Sequence, residues 1–527
     1  MISAHQNPDI VTRFEALLGA EHVLSDPDSL ELYSQDIWQA GEPIAAVVRP
    51  ADTAQMSAIA QLAAELGICL AVRGGGMSYT RGYTQTRANV VMVCTRRMDA
   101  VLEINAEDMT VTVQAGCTWA ALYEALRKQN LRTPYWGPLS GRYATVGGSV
   151  SQNSIFWGGS KYGSAADSVI SMEVVLANGD ILRTGSAAQQ NAAPFFRHFG
   201  PDLTGLFCCD CGALGLKATI ILRLMPAACE REYLSFDFRS YPGLLSAMTA
   251  ITREGLASEC FGFDPLLTEM RAQRDSLMAD ARSFGNLLAG ASSLKQAASD
   301  TLGVMRSGRR FMGDLAWPLH AIVEERNSTA VAEAVQRIRE LVAANGGSEV
   351  SNTIPKIMRA NPFGPVNNMI GPGGERWAPV HGLLPLSRAE EATTAVLGIF
   401  ARHEQVIEQF NIRTGFLYNA VAGSCIAVEP LFFWPDSVDV IHRNSVEADF
   451  YRRLPRLEQN LAARDAVATI RQEIADTLSE MGAAHLQIGR SYHFADALEP
   501  ASRQLLQAIK AALDPDNRIN PGVLGLD

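Results

Sequence analysis

The stretch Cys69-Leu70-Ala71-Val72-Arg73-Gly74-Gly75-Gly76-Met77-Ser78-Tyr79 decides the fold. Residues 69–72 read as a short buried strand that runs straight into three consecutive glycines. Lacking Cβ atoms, such a loop admits positive φ angles and lets backbone N–H groups approach an anion. Ser78 adds a hydroxyl donor, and Arg73 adds either a charge or a structural anchor. The run lacks GxGxxG spacing, so a nicotinamide-type Rossmann loop is not favoured. A tight turn would also use three glycines, so the weight of the reading lies in what surrounds them.

Upstream, residues 45–48 form a short apolar run, and Asp52 stands where a helix N-cap belongs. Met56, Ile59, Ala60 and Ala63 then recur at helical spacing. Downstream, residues 90–94, 109–115 and 172–176 read as buried strands. Asn178-Gly179-Asp180 is a hairpin turn into residues 181–184. Residues 219–225, closed by Pro226, are the last strand of this region. Beyond it the texture changes. Helical stretches at 330–344 and 388–403 alternate with strand-like runs at 417–420 and 426–433. This break predicts a first domain over 1–226, a second α+β domain over 227–470, and a C-terminal segment over 471–527.

A chain of 527 residues with 47% hydrophobic and 19% charged side chains suits two or three folded domains. Its formal charge of −11 argues against broad nucleic-acid binding, which needs a basic face. The first fifteen residues lack the basic start and apolar run of a signal peptide, and no apolar run of about 18 residues occurs. Nine cysteines form no disulfide-framework pattern, which points to reduced thiols in a cytoplasmic protein. Cys208, Cys209 and Cys211 cluster, but no second ligand pair accompanies them, so no metal is expected.

Further glycine segments change the odds. Thr145-Val146-Gly147-Gly148-Ser149-Val150-Ser151-Gln152-Asn153 precedes Gly158-Gly159-Ser160-Lys161-Tyr162-Gly163. A third segment runs from Asp202 through Phe207, and then from Gly212 through Leu216. Together with residues 171–185 and the ending Leu513-Asp514-Pro515-Asp516-Asn517-Arg518-Ile519-Asn520-Pro521-Gly522, these motifs cover about half the chain. In that combination the chain resembles the vanillyl-alcohol oxidase/para-cresol methylhydroxylase flavoprotein superfamily. The resemblance implies an α+β fold: a two-subdomain FAD-binding domain built from both chain ends, with a ferredoxin-like α+β substrate cap domain. It implies that Arg73, Gly74, Gly75, Gly76, Met77, Ser78 and Tyr79 hold the FAD pyrophosphate. Thr145, Gly147, Gly148, Ser149, Gln152 and Asn153 would line the cofactor, with Gly158, Tyr162 and Asn520 completing its site.

Departures from the family pattern sharpen this expectation. Met77 stands where several relatives attach FAD to histidine, and Arg142-Tyr143 stand near the position of a linking cysteine in others. No histidine occupies residues 371–377, and His381 lies a few residues on. FAD is therefore expected to be non-covalent. Arg490 is the best match to an arginine that binds a phenolate oxygen, with Tyr492 or Tyr135 assisting. His381 is a candidate general base. A salt bridge or C-terminal staple explains Arg490 equally well, and core packing explains His381. Asn419 and Glu429 are further candidates for substrate contact, with no direction fixed by sequence. The implied activity is FAD-dependent oxidation of a small aromatic, para-substituted phenolic alcohol or side chain, with oxygen or another carrier as electron acceptor. Dehydrogenation of a 2-hydroxy acid and flavin-assisted lyase chemistry stay open, as does a homodimer.

Overall fold

The computed structural model describes residues 8–274 and 315–526, which fall into two compact units. The first comprises Met1–Ser154, Ala165–Pro226 and Leu486–Asp527; the second comprises Ile155–Ser164 and Ala227–His485.

The first unit holds two main sheets. One contains β1 (Val23–Leu24), β2 (Ala46–Val48), β3 (Leu70–Arg73) and β4 (Val91–Cys94) in the order β1-β2-β4-β3. Both β2 and β3 run parallel to β4, which demands crossover connections. The crossover from β2 to β3 is helix α2 (Thr53–Leu66), which follows α1 (Pro8–Leu18) in the chain. The Asp52 side chain accepts the Gln55 amide at 2.8 Å, and the helix stops at Gly67, whose φ of 66° suits glycine. Met56, Ile59, Ala60 and Ala63 bury the inward stripe against Phe14 and Leu18 of α1. The second sheet is antiparallel: β5 (Val101–Asn105), β6 (Thr110–Gln114), β7 (Val169–Val175), β8 (Ile181–Arg183) and β9 (Leu216–Arg223), ordered β5-β6-β9-β7-β8. The turn from β7 to β8 passes through Gly179 at φ 88°, as the Asn-Gly-Asp sequence requires.

Strand β3 would be an open edge, but the end of the chain closes it. Leu70 donates its amide to the Arg518 carbonyl at 2.8 Å, and its carbonyl accepts the Asn520 amide at 2.7 Å. The preceding helix, α7 (Pro500–Leu513), anchors this graft through a buried ion pair. Lys510 Nζ lies 2.6 Å from Asp514 and also donates to the carbonyls of Ala213 and Ile519. Asp514 in turn accepts the Arg518 and Ile519 amides.

The second unit is built on one eight-stranded antiparallel sheet. Its strands are β10 (Glu230–Phe238), β11 (Glu259–Phe263), β12 (Trp317–Glu325), β13 (Ser348–Glu349), β14 (Arg376–Pro379), β15 (Gly382–Pro385), β16 (Arg413–Val421) and β17 (Cys425–Trp434). The spatial order is β13-β10-β12-β11-β16-β17-β14, with β15 also paired to β17. Helix α4 (Tyr241–Arg253) links β10 to β11, and α5 (Ser328–Ala344) links β12 to β13. Strands β13-β10-β12-β11 thus follow the 4-1-3-2 order of a ferredoxin-like βαββαβ unit, as the family resemblance implied. These helices and α6 (Ala389–Arg402) cover one face. Phe400 of α6 packs against Phe416 and Phe432, and Gly262 leaves room for Leu244 of α4.

Two boundaries differ from the sequence expectation. Residues 155–164, expected in the first domain, join the second unit. There the Gly158 amide donates to Glu259 Oε1 at 2.7 Å, and the amides of Ala422 and Gly423 donate to the carbonyls of Gly159 and Ser160. Residues 471–485 also stay with the second unit, because the helix Leu461–Glu480 docks beneath it through Arg471, which donates to the Pro379 carbonyl.

Replacing Lys510 by methionine keeps the stem but strands the Asp514 carboxylate, which is 2% exposed. Breaking a buried pair from one side costs about 3–5 kcal/mol. Urea unfolding should register that loss, and Lys510→Met at wild-type stability would contradict the anchoring role.

Candidate active site

The glycine loop of the first unit is assembled by close backbone packing. A Cβ on Gly75 would lie 1.9 Å from the Tyr143 carbonyl oxygen, and one on Gly74 would lie 2.3 Å from Thr145 Oγ1. Only glycine lets the loop lie this near the 143–145 segment. Gly76, at φ 76°, sits over the Arg73 guanidinium, with 2.1 Å from its would-be Cβ to Nη2. Among the described residues, the amides of Gly74 through Ser78 donate to no protein acceptor. Consecutive backbone donors of this kind form an anion-binding concavity.

Arg73 strengthens that character from below. Its guanidinium is buried between the rings of Tyr33 (4.5 Å) and Tyr83 (5.4 Å). It has no carboxylate partner among the described residues, and its Nε makes no hydrogen bond. A buried cation without a counter-ion, beneath a row of free amides, suits a diphosphate. FAD carries such a group, and these residues fit it.

The other residues expected around the cofactor mostly brace the loop. Thr145 caps α3 (Val146–Gln152) by accepting the Gly148 amide, and Ser149 Oγ accepts the Trp119 indole N–H at 2.7 Å. A side chain on Gly147 would strike Ala115. Gln152 accepts from the Cys211 thiol, and Asn153 ends α3 at φ 52° while its Oδ1 accepts the Ala166 amide. Tyr79 accepts a hydrogen bond from Gln487, and Ser78 Oγ lies 3.4 Å from Thr80 Oγ1. The half-buried Met77 offers the loop no bond-forming nitrogen or oxygen. Gly158 and Tyr162 are placed on the second unit instead, where the Gly158 amide is taken by Glu259. Asn520 is a clasp: its amide nitrogen donates to Gly82 and Cys211 carbonyls, and its oxygen accepts from Gln85 and Arg490. With all these partners inside the protein, it holds the loop's surroundings rather than a ligand.

Arg490 also turns out to be a staple. Nη1 donates to the carbonyls of Arg81 and Thr84, and Nη2 donates to Asn520 Oδ1 and the Pro521 carbonyl. That engagement leaves no terminal N–H for a phenolate or a carboxylate. Tyr135 is fully buried, edge-on to Trp119, with its hydroxyl 2.8 Å from Ser154 Oγ; burial pushes its ionisation far above the ordinary phenol range. Trp136 stacks on Tyr123, so this aromatic pair is core. Tyr492 is likewise buried in the first unit. Burial pushes the Cys208 and Cys211 thiols up to about 12, which makes them poor nucleophiles.

The second unit presents a polar face that sequence periodicity does not reveal. Residues opposite one another across a sheet share a face. Ser235, His320, Phe261, Asn419, Ala427 and Leu383 therefore form one row across β10, β12, β11, β16, β17 and β15. Phe263, Leu417 and Glu429 form the next row on that face. His320 Nδ1 lies 2.8 Å from Ser235 Oγ, and its ring packs against Phe261 and Phe263. Phe156 covers Phe261. Leu417 and Glu429 stay partly accessible while their strand neighbours are buried. Among the described residues Glu429 has no hydrogen-bond or ion-pair partner, and burial alone pushes its carboxyl up to about 7. His381 sits in the link between β14 and β15. Pro379 pairs with Leu431 and Gly382 with Val428, so this link lies opposite Glu429. The His381 carbonyl accepts from His485 Nδ1 at 2.8 Å, and burial lowers the affinity of His485 for a proton.

With this geometry in place, known proteins give it a class. Residues 44–185 match the family described as an FAD binding domain. The glycine loop lies within the stretch that matches this FAD-binding family. Among individual relatives, the chain is 36% identical to the glycolate oxidase subunit GlcD of Bacillus subtilis over 34% of its length and 37% of that protein's. It is 29% identical to a D-lactate dehydrogenase of Archaeoglobus fulgidus over 40% of its length and 45% of that protein's. The chain thus matches well under two thirds of either relative. By fold it superposes on p-cresol methylhydroxylase with substrate bound, with a TM-score of 0.75 at 18% identity, covering 100% of this chain and 98% of that one. Alkyldihydroxyacetonephosphate synthase gives 0.70 at 14% identity, covering 99% and 86%.

Substituting Gly75 with alanine forces the loop off the 143–145 segment. Such overpacking costs about 1–3 kcal/mol. Purified Gly75→Ala should melt at a lower temperature and hold less FAD per chain by absorbance. Gly159→Ala, where a Cβ meets nothing within 4 Å, should match the native protein in both. Full flavin content in Gly75→Ala would rule out the cradle.

Proposed function

We propose that the chain is an FAD-dependent oxidoreductase that oxidises a small aromatic substrate at an alcohol or side-chain carbon. The amides of Gly74 through Ser78 and the charge of Arg73 would hold the diphosphate. Bound FAD supplies a two-electron acceptor able to take a hydride. The rest of the work falls to the protein, which must orient the substrate and receive its proton.

The observation that carries the aromatic reading is the sheet face of the second unit. Phe261 and Phe263 lie beside Asn419 and a Glu429 that has no partner among the described residues. Both rings are buried against Phe156 and His320 and make the ground of this face apolar, while the amide and carboxyl offer hydrogen bonds to a hydroxyl. An anionic substrate would meet a carboxylate there without a compensating cation. The 2-hydroxy-acid reading draws on the names of the glycolate and D-lactate relatives. Arg490, expected to bind a phenolate oxygen, is engaged by carbonyls and Asn520 instead. A neutral aromatic alcohol therefore fits this face better than either anion.

Anaerobic mixing of the holoprotein with vanillyl alcohol, 4-alkylphenols, glycolate and D-lactate discriminates these readings. Aromatic alcohols are expected to bleach the flavin absorbance. Bleaching by the hydroxy acids alone would reverse the assignment.

We also infer that FAD is held without a covalent bond, because Met77 cannot form one. Acid denaturation followed by filtration should pass yellow flavin into the filtrate, and colour retained with the protein would refute this.

A further inference from the structure

We propose that the loop of residues 193–203 is a self-association surface, and that its partner is a second copy of this chain joined across a twofold axis. All of its residues belong to the first unit.

Phe195, Phe196 and Phe199 are 64%, 52% and 52% exposed, and Leu203, which opens the short helix Leu203–Leu206, is exposed four residues on. Every other phenylalanine among the described residues is buried or half-buried. The backbone beneath these rings is firmly held. Buried Ser186 accepts the amides of Phe195 and Phe196 on Oγ and donates its hydroxyl to the Ala193 carbonyl at 2.7 Å. The Ser186 amide donates to the Phe196 carbonyl at 2.7 Å. Gly185 permits this approach, since a Cβ there would lie 2.9 Å from the same carbonyl oxygen. Further along, Arg197 grips Asp202 and the Ala166 carbonyl, and Asp202 caps the next helix by accepting the Gly205 amide. A backbone fastened at both ends thus turns three rings toward solvent, where they add nothing to the stability of the single chain. Rings presented in this way lose little freedom on association.

Area and charge select the partner. With about 200 Å² to a phenylalanine, the exposed fractions of the three rings amount to roughly 350 Å² of apolar surface. A stable interface buries about 800 Å² per partner, a little over half of it apolar. The rings and Leu203 therefore supply most of the apolar share, and the exposed Gln190, Asn191 and His198 supply a polar rim. No acidic residue lies between Ile181 and Pro201, so two chains of formal charge −11 meet here without opposing carboxylates. Arg183 is paired with Glu173 and Arg197 with Asp202, which leaves no cationic excess to attract an anionic lipid surface. An apolar patch is its own complement, and a twofold axis sets it against its equal.

Sedimentation velocity on the FAD-loaded protein tests this. The native chain should sediment as a species of twice 57.0 kDa that dissociates on dilution. The double variant Phe195→Asp/Phe199→Asp should raise the dissociation constant by about 30-fold or more, with native flavin content and melting temperature. Leu505→Asp, at a leucine of α7 that is also 64% exposed, should leave the dimer intact. A second measurement uses the native protein alone. Amide hydrogen exchange over residues 187–203 should slow as concentration rises, while exchange over α7 should not change. A native chain that stays monomeric at every concentration, a dimer that survives both aspartates, or exchange over 187–203 independent of concentration would each overturn the proposal. So would equal loss of the dimer in Leu505→Asp. A monomer that co-sediments with phosphatidylglycerol vesicles would overturn it too, by making a lipid surface the occupant.

Discussion

The grafting of the chain's last residues onto strand β3 is the constraint on which the first unit depends. A parallel strand at a sheet edge exposes a row of unpaired amides and carbonyls, and such edges are liabilities. Here Leu70 is satisfied on that side by Arg518 and Asn520, more than 400 residues away in sequence. Lys510 (held by Asp514), Asn520 and Arg490 extend the same graft by donating to the carbonyls of Ala213, Gly82, Arg81 and Thr84. The glycine run begins four residues beyond Leu70, so the loop inherits its position from a contact that closes only once residues 518–520 are made. Loop-closure entropy rises slowly with length, and a dense cluster of buried polar bonds can offset it.

Side chains fix the cradle, and backbone faces the ligand. Thr145, Ser149, Gln152 and Asn153 turn their hydrogen bonds inward, toward Gly148, Trp119, Cys211 and Ala166. What stays free among the described residues is the run of amides from Gly74 to Ser78 over one buried guanidinium. This division has a physical logic. Amides fixed by tight packing lose little freedom when they bind a diphosphate, whereas long polar side chains would have to be ordered at that moment.

Much of this was legible in the sequence, for reasons that particular residues make plain. Local signals were reliable: the Asp52 cap, the stripe from Met56 to Ala63, the turn at Gly179 and the strand before Gly74 all form as their chemistry dictates. Long-range assignments fared less well. Arg490 and Asn520 carry the right residue types for ligand binding, yet their partners are carbonyls and amides brought near by folding, which no spacing rule foresees. Residues 155–164 read as a continuation of the glycine-rich region, but Glu259 and the 422–423 turn claim them for the second unit. The polar face of the second unit was hidden for another reason. Strands β11, β12, β16 and β17 are buried on both sides, so hydrophobic alternation is weak and the direction of Asn419 or Glu429 emerges only from strand register.

That register gives the two faces of the large sheet opposite characters. Facing α4 and α6, Leu244, Phe400, Phe416 and Phe432 pack as an apolar layer that needs no further partner. On the other side, His320 is matched by Ser235 and Glu259 by Gly158, but the side chains of Asn419 and Glu429 have no partner among the described residues. A folded chain tolerates a buried polar group only when something satisfies it or when its strain serves a purpose. Nothing in stability alone favours a glutamate at this place, since a leucine would complete the apolar run from Ile426 to Trp434. The cost is understandable if the carboxyl hydrogen-bonds a ligand on this face, because a bound hydroxyl or amide would supply the partner that the described residues do not.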